Sequence, residues 1–498
     1  MVASMSSIAE DMRTIAEGEI LDDEWTRRYY SVDASHYSIM PSLVVFPVHQ
    51  EDVSAICKYA FSKNVSLTAR GAGTGLLGQS LSQNIIIDFT KYMNKITEIG
   101  NNYVVVQPGI VKGVLDKELK RKGKFLPPDP ASSNYCTIGG MVANNASGPH
   151  ALGFGSIIDF LEGVTVVYSD GSIGTISDND SDDRMTRIFR LLGDKLDLIR
   201  QRYPKVTKNS CGYRLDSVIS NDKFFPQKLF AASEGTLGIL TSVRLKILDL
   251  PDCRQLLVLG FNNLLSAVSV IPSILLDSPV AVELLDHTVL GNVDKDGLDH
   301  SHVRTILFVE FAGRERKRIE LQAACCKYRL VGKCRVLESA SDEKCINRIW
   351  ESRKSALNHV MKLTIGSRRP IGLIEDTVVH TDFLLEYTRF LIEKYAKNNL
   401  DYVFYGHAGN GNLHTRPMID LDSQSEIRMI EHLADQVFKK VISLRGTISG
   451  EHGDGLGRVN HISNMYGTQI YSLFLGIKEL LDPTYIMNPG KKILKQNK

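Results

Sequence analysis

A chain of 498 residues exceeds what one hydrophobic core usually organises, so two domains, or one domain with a large cap, is the expectation. Hydrophobic residues make up 43% and charged residues 23%, an ordinary globular balance, and a net charge of +2 gives no bulk argument for nucleic acid, membrane or acidic partners. Eight cysteines without a single C-x-x-C spacing exclude the usual zinc-ribbon and iron–sulfur patterns and fit reduced thiols in a cytoplasmic protein.

The start of the chain is acidic and lacks the apolar stretch of a secretory signal, and residues 1–36 read as an N-terminal helical extension. From residue 37 to 250 short β-branched runs alternate with helical stretches and glycine-rich turns, the pattern of an α+β domain. "SLVVFPV" is a strand, "EDVSAICKYAFSKN" has helical spacing, and "VSLTAR" is a second strand that delivers the chain to the loop "RGAGTGLLGQS" at 70–80. That loop contains two familiar spacings. From Gly73 it is one residue away from a P-loop, with Gln79 where the phosphate-binding lysine would stand; Gly73, Gly75 and Gly78 also spell G-x-G-x-x-G. Both require the loop to open a helix, whereas "LSQ" is too short for one and "NIIIDF" (84–89) is a buried strand. The loop therefore joins two strands, where its backbone N–H groups can approach an anion and Arg70 adds charge.

Next come the strand "YVVVQPG" and the segment "LPPDPASSNYCTIGGMVANNASGPHALGFGS" (126–156). Its prolines fix an extended lead-in, Gly139 and Gly140 permit close backbone approach, and the small residues from Ala143 to Gly148 leave room for a large flat ligand. "LEGVTVVYSDGSIGTIS" reads as a hairpin turning at 169–172, and "ASEGTLGILTSV" (232–243) sets Gly235 and Gly238 around small polar residues. After "DLPDC" (249–253) the composition shifts, which puts a boundary near 250 and a second domain at 251–498. The apolar region 256–286 is interrupted by Asn262, Asn263, Pro272 and Asp277, so it is not a membrane span. "RTILFVEFAG" (304–313) is a strand and "QSEIRMIEHLADQVFKKVISLRG" (424–446) a helix. Between and after them, "YGHAGNGNLHTRP" (405–417) carries His407 and His414, and "SGEHGDGLGR" (449–458) carries Glu451 and His452. Two imidazoles and a carboxylate suit a divalent metal with open positions for substrate oxygens.

Seven segments in order, "RGAGTG", "PPDPASSNYCTIGGMVANNASG", "ASEGTLGIL", "PVAVELLD", "GHAGNGNLH", "SGEHGDG" and "DPTYIMNPGK", resemble the FAD-linked D-2-hydroxy acid dehydrogenases of the vanillyl-alcohol-oxidase flavoprotein superfamily, the branch with D-lactate, D-2-hydroxyglutarate and glycolate dehydrogenases. The resemblance implies a two-subdomain FAD-binding domain of the p-cresol methylhydroxylase (PCMH) type at 37–250, then an α+β cap or substrate domain with a C-terminal helical segment. It implies FAD contacts from Arg70, Gly71, Ala72, Gly73, Thr74, Gly75, Gly78 and Gln79, the loop that holds the diphosphate. Further contacts are expected from Pro128, Asp129, Thr137, Ile138, Gly139, Gly140, Ala143, Asn144, Ala146 and Gly148, and from Glu234, Gly235, Gly238, Ile239 and Asn488. Thr74 stands where covalent members of the superfamily have a flavin-linked histidine, so FAD is expected without a covalent link.

In the second domain the resemblance makes His407, His414 and Glu451 ligands of a divalent metal, Zn or Mn, and His452 the base that takes the substrate's hydroxyl proton as hydride leaves for flavin N5. Arg353 is expected on the substrate carboxylate, with Leu357 where the 2-hydroxyglutarate enzymes have a threonine. The substrate expected is a small 2-hydroxy acid. No cysteine follows Cys345, so an iron–sulfur acceptor would be a separate subunit, with a quinone or an electron-transferring flavoprotein as the alternatives. A cytoplasmic location is expected, with peripheral association at the inner face of the membrane left open. Competing readings are a metal-dependent hydrolase and a non-catalytic flavin-bearing subunit of an electron-transfer complex.

Overall fold

Runs of wholly buried aliphatic residues suit parallel strands covered on both faces, and the first sheet is built from them. β2 (Leu43–Phe46), β3 (Leu67–Arg70) and β4 (Ile85–Asp88) lie parallel in the order β2-β4-β3, and β1 (Glu19–Leu21) adds an antiparallel edge beside β2. The computed structural model describes residues 5–178, 182–220, 223–287, 302–360 and 364–495. The helix between β2 and β3, Gln50–Lys63, starts at a His49 cap and stops where Asn64 turns left-handed at φ 54°.

The second sheet is antiparallel: β5 (Ile96–Ile99), β6 (Tyr103–Val106), β12 (Ile239–Lys246), β8 (Leu161–Val167) and β9 (Ile173–Ser177), in that order. The expected β8–β9 hairpin turns on Asp170, whose side chain accepts the Ser172 N–H at 3.0 Å. Two short pairs, β7 (Lys124–Phe125) with β13 (Leu248–Asp249) and β10 (Ile219–Ser220) with β11 (Lys223–Phe224), complete this half.

The third sheet begins at β14 (Cys253–Phe261). It continues through β15 (Ala281–Asp286), β16 (Thr305–Gly313), β17 (Arg335–Ala340), β18 (Arg369–Pro370), β19 (Thr377–Val378), β20 (Tyr402–His407) and β21 (Asn412–Ile419). Its order is β17-β14-β16-β15-β20-β21-β18, with β19 also on β21. The strand expected over 304–313 is β16, and the helix expected over 424–446 spans Gln424–Ser443.

Both ends of the chain depart from expectation. The N-terminal stretch holds helices Met5–Ile15 and Glu24–Tyr30 but also β1, because Ile20 finds a buried position once the segment pairs with β2. The C-terminal segment returns to the first half: Leu67 N–H donates to Ile486 O at 2.8 Å and Asn488 N–H to Leu67 O at 2.7 Å. It thereby covers the open edge of β3, whose backbone groups would otherwise lack partners. The second and third sheets share one continuous core, while the first sheet packs its own around Leu43, Val45, Ile85 and Ile87. Among the described residues no helix is long and apolar enough to cross a membrane.

Candidate active site

A cleft opens at the ends of β3 and β4, walled on the other side by the second subdomain. Residues 69–75, Gln79, Ser80 and Phe89 form one wall; Pro108, Thr137, Gly139, Gly140, Ala143, Asn144, Ser233, Glu234, Gly235, Gly238 and Leu240 form the other. Two glycines are obligatory for its shape. A Cβ on Gly71 would lie 2.1 Å from Thr137 Oγ1, and Gly73 has φ +65° with the Arg70 guanidinium against its open side. Thr137 in turn caps the helix Ile138–Asn144, accepting the Gly140 N–H at 3.3 Å.

Not every expected cofactor residue faces this cleft. Gly78 forms a left-handed turn against Tyr37 and Leu456, Ile138 and Ile239 are buried in the cores, and Ala146 and Gly148 lie beyond the lining helix. Pro128 is outside the lining too, and Asp129 borders a second cleft, where its carboxylate bonds His150 Nδ1 at 2.6 Å. The Arg70 guanidinium turns to the carbonyls of Tyr30 and Val32, so it braces the loop rather than projecting its charge across the cleft. The Glu234 carboxylate accepts the N–H groups of Asp454 and Gly455, leaving only its backbone region for a ligand. Asn488 stands behind the wall and donates to Gln79 O at 2.9 Å and Glu234 O at 2.6 Å.

The histidine motifs meet at one place. His407 ends β20, His414 lies on the neighbouring β21, and the loop 449–455 brings Glu451 and His452 to them. Ring centroids of His407 and His414 are 5.2 Å apart, and those of His414 and His452 are 4.9 Å apart and nearly parallel. Glu451 Oε1 lies 2.8 Å from His407 Nε2, 3.2 Å from His414 Nε2 and 3.8 Å from His452 Nε2. Its other oxygen accepts from Ser147 Oγ at 2.6 Å and Lys208 Nζ at 2.8 Å. Although burial opposes it, Lys208 and His407 hold the Glu451 carboxyl well below its ordinary pKa. Burial pulls His414 down, whereas for His452 the Glu375 and Asp376 carboxylates outweigh burial and raise the pKa to about 9.

His407 faces a carboxylate at each ring nitrogen, Glu283 Oε1 at 2.7 Å and Glu451 Oε1 at 2.8 Å. A neutral imidazole has one proton, so the second contact requires either a second proton or a cation between the atoms. Two imidazole nitrogens and a carboxylate oxygen are donors that suit Zn or Mn, and the trio expected from the sequence fits such an ion. Asp376 lies with His414, Glu451 and His452 in a group whose ligand atoms are all within 4.8 Å of one another, a group that does not include His407. The Asp376 oxygens are occupied by the N–H groups of Gly450, Glu451 and His452 and by Ser449 Oγ, so it shapes the loop instead of offering a ligand atom.

Cleft and cluster are joined by Gln79, whose Nε2 donates to His452 O at 2.6 Å. Arg353, on the helix Glu343–Val360, is 5% exposed, bonds Glu283 with one arm and leaves its Nε without a partner. The Leu357 side chain lies outside what is described.

Residues 41–177 match the family described as FAD binding domain, and residues 250–492 match FAD linked oxidases, C-terminal domain. The chain belongs to the FAD-linked oxidase family. It is 28% identical to the glycolate oxidase subunit GlcD of Bacillus subtilis, covering 98% of this chain and 97% of that one. It is 30% identical to the D-2-hydroxyglutarate dehydrogenase of Escherichia coli K12 over 93% of this chain, but spans only 49% of that longer relative. The fold is that of p-cresol methylhydroxylase, with a TM-score of 0.72 at 13% identity over 98% of this chain and 96% of that chain. The PCMH-type architecture expected from the motifs is therefore present.

As an FAD-linked oxidase the chain has a cleft lined by glycines and small residues, with Gly71 and Gly73 positions that a Cβ would fill, so the residues present fit FAD. Sequence reasoning missed Ala69, Ser80, Phe89, Pro108, Ser233 and Leu240 on its walls, and Ser147, Lys208, Glu283 and Glu375 around the histidines. The wall residues come from separate strand ends and carry no spacing signal. Glu283 did carry one, as an ionisable residue inside the otherwise apolar run 279–285, whereas Glu375 stands beside Asp376 and carried none.

Proposed function

We propose that this FAD-linked oxidase is a dehydrogenase that converts a small D-2-hydroxy acid, of the D-lactate, glycolate or D-2-hydroxyglutarate class, to its 2-oxo acid. The observation that carries this reading is the convergence of His407, His414, Glu451 and His452 beside a glycine-lined cleft tied to them through Gln79. When bound, FAD supplies a hydride acceptor at N5 and a divalent cation supplies Lewis acidity toward the substrate's hydroxyl and carboxylate. His407, His414 and Glu451 hold the cation. His452 Nε2 takes the hydroxyl proton while the C–H electron pair leaves the α-carbon, so the C–O bond becomes a carbonyl. The unpartnered Nε of buried Arg353 meets the substrate carboxylate, a donor that otherwise stays unsatisfied.

The names of the relatives and the resemblance of the seven motifs support the substrate class; the D preference rests on them alone. Electrons then pass to a separate iron–sulfur subunit, a quinone or an electron-transferring flavoprotein, in a cytoplasmic protein with or without peripheral membrane association. A hydrolase would leave the glycine-lined cleft without a role.

The test is anaerobic spectroscopy of the purified holoprotein with D-lactate, L-lactate, D-2-hydroxyglutarate and glycolate, each with and without chelator. One D-acid should bleach the flavin band near ~450 nm, chelation should abolish bleaching without removing flavin, and acid precipitation should release free FAD. A flavin that no acid bleaches would end the reading for these substrates.

A further inference from the structure

Besides Asp376, whose oxygens hold the loop 449–452, two carboxylates in this region are wholly buried, Glu283 in the middle of β15 and Glu375 just before β19. Burying an ionised carboxylate is costly unless it is paired and fully hydrogen-bonded, so each needs an explanation. Their surroundings repeat the same three-part arrangement. Glu283 Oε1 meets His407 Nδ1 at 2.7 Å, and its Oε2 is held by Arg353. Glu375 Oε1 meets His452 Nδ1 at 2.7 Å, and its Oε2 accepts from Arg416 Nε at 3.0 Å and NH2 at 2.9 Å. Both arginines are at most 5% exposed. His414 has no such partner, its Nδ1 lying 3.7 Å from the nearer Glu375 oxygen without a hydrogen bond.

We propose that Glu283 and Glu375 are positioning residues that fix the ring orientation and tautomer of His407 and His452, each held in place by its own arginine. A carboxylate that accepts the Nδ1 proton leaves the Nε2 lone pair pointing away from it. At His407 that lone pair faces Glu451 and the proposed cation; at His452 it is the atom that takes the substrate proton. The arginine matters because it occupies the carboxylate's second oxygen and so fixes how the first one faces Nδ1. Arg353 therefore has two duties, one arm bracing Glu283 and its free Nε serving the substrate. Which step each glutamate affects rests on the dehydrogenase reading above.

The two substitutions separate the roles. Glu283→Gln should weaken Zn or Mn binding, measured by metal titration and content on the FAD-loaded protein, by about 10- to 100-fold. Glu375→Gln should leave metal affinity within about 2-fold yet slow anaerobic flavin reduction roughly 10²- to 10⁴-fold, with little change in KM, the loss expected when a base is misplaced. FAD content should stay at the wild-type level in both. Metal affinity unchanged in the first, or flavin reduction unchanged in the second, would overturn the proposal. If a glutamine variant fails to fold, Glu375→Asp and the paired Glu375→Gln/Arg416→Met, which removes both charges, read the same quantities. Imidazole nitrogen NMR on histidine-labelled, metal-loaded protein at a pH above about 9, where the His452 ring is neutral, reads the tautomers without turnover: Nδ1–H on His407 and His452 is expected, and a neutral ring protonated at Nε2 instead would overturn the proposal even if no acid reduces the flavin.

Discussion

At the scale of single residues, glycines in the first domain mark contacts that no other residue allows, whereas in the second the charges are what matter. Gly71 touches Thr137, the residue that caps a lining helix of the cleft. Gly71→Ala places a methyl 2.1 Å from Thr137 Oγ1, so either the cap or the cleft must yield. Loss of the cap costs about 1 kcal/mol, and the larger expected effect is on FAD occupancy, read from the ratio of visible to protein absorbance. A variant that purifies with full flavin would show that the loop adapts. Thr74 and Gln79 were legible as cleft residues from the motif alone. The brace that Arg70 makes to Tyr30 and Val32 was not, because those carbonyls lie on another element some forty residues away in sequence.

At the scale of elements, the two halves are tied by buried charge. His150, at the start of the short helix Ala151–Phe154, lies between Asp129 at 2.6 Å and Glu310 of β16 at 3.4 Å, and its ring packs on Trp350 at 5.0 Å. Burial opposes its charge, but Asp129 and Glu310 outweigh it and raise its pKa to about 10. A group raised in the folded state gives its full stabilisation below its unfolded pKa, ~6.5, and loses it as the pH climbs through 10. Thermal unfolding should therefore show wild type losing roughly 2–4 kcal/mol between pH 7 and 10 that His150→Asn does not lose, a figure reduced for partial exposure. Parallel pH profiles for the two proteins would contradict this. The C-terminal segment makes a similar tie: Lys492 Nζ reaches Asp454 at 2.7 Å and Glu234 at 3.3 Å, all three fully or nearly fully buried. Lys492→Met leaves two carboxylates without their cation, and a loss of about 3–5 kcal/mol in chemical unfolding is expected. A loss under 1 kcal/mol would mean that water or Arg458 compensates.

At the scale of the whole molecule, the first sheet keeps its own core while the second subdomain and the cap share another, so the composition shift near 250 is not a break in packing. The chain returns to β3 at residues 486–488, and this closure sets the loop 449–455 against the glycine loop through Gln79. The sequence by itself determined the element types and the family motifs, because burial on both faces, glycine freedom and donor chemistry are local properties written in neighbouring residues. It also singled out His407, His414, Glu451 and His452 as candidates for one site, from donor types in glycine-rich loops and from the family resemblance, and the structure brings the four together. Only the tertiary structure decided what stands behind them. That Glu283 backs His407 and Glu375 backs His452, that Glu234 serves the 454–455 loop, and that Arg353 is half engaged all depend on distances across 70 to 220 residues of chain, which no periodicity encodes.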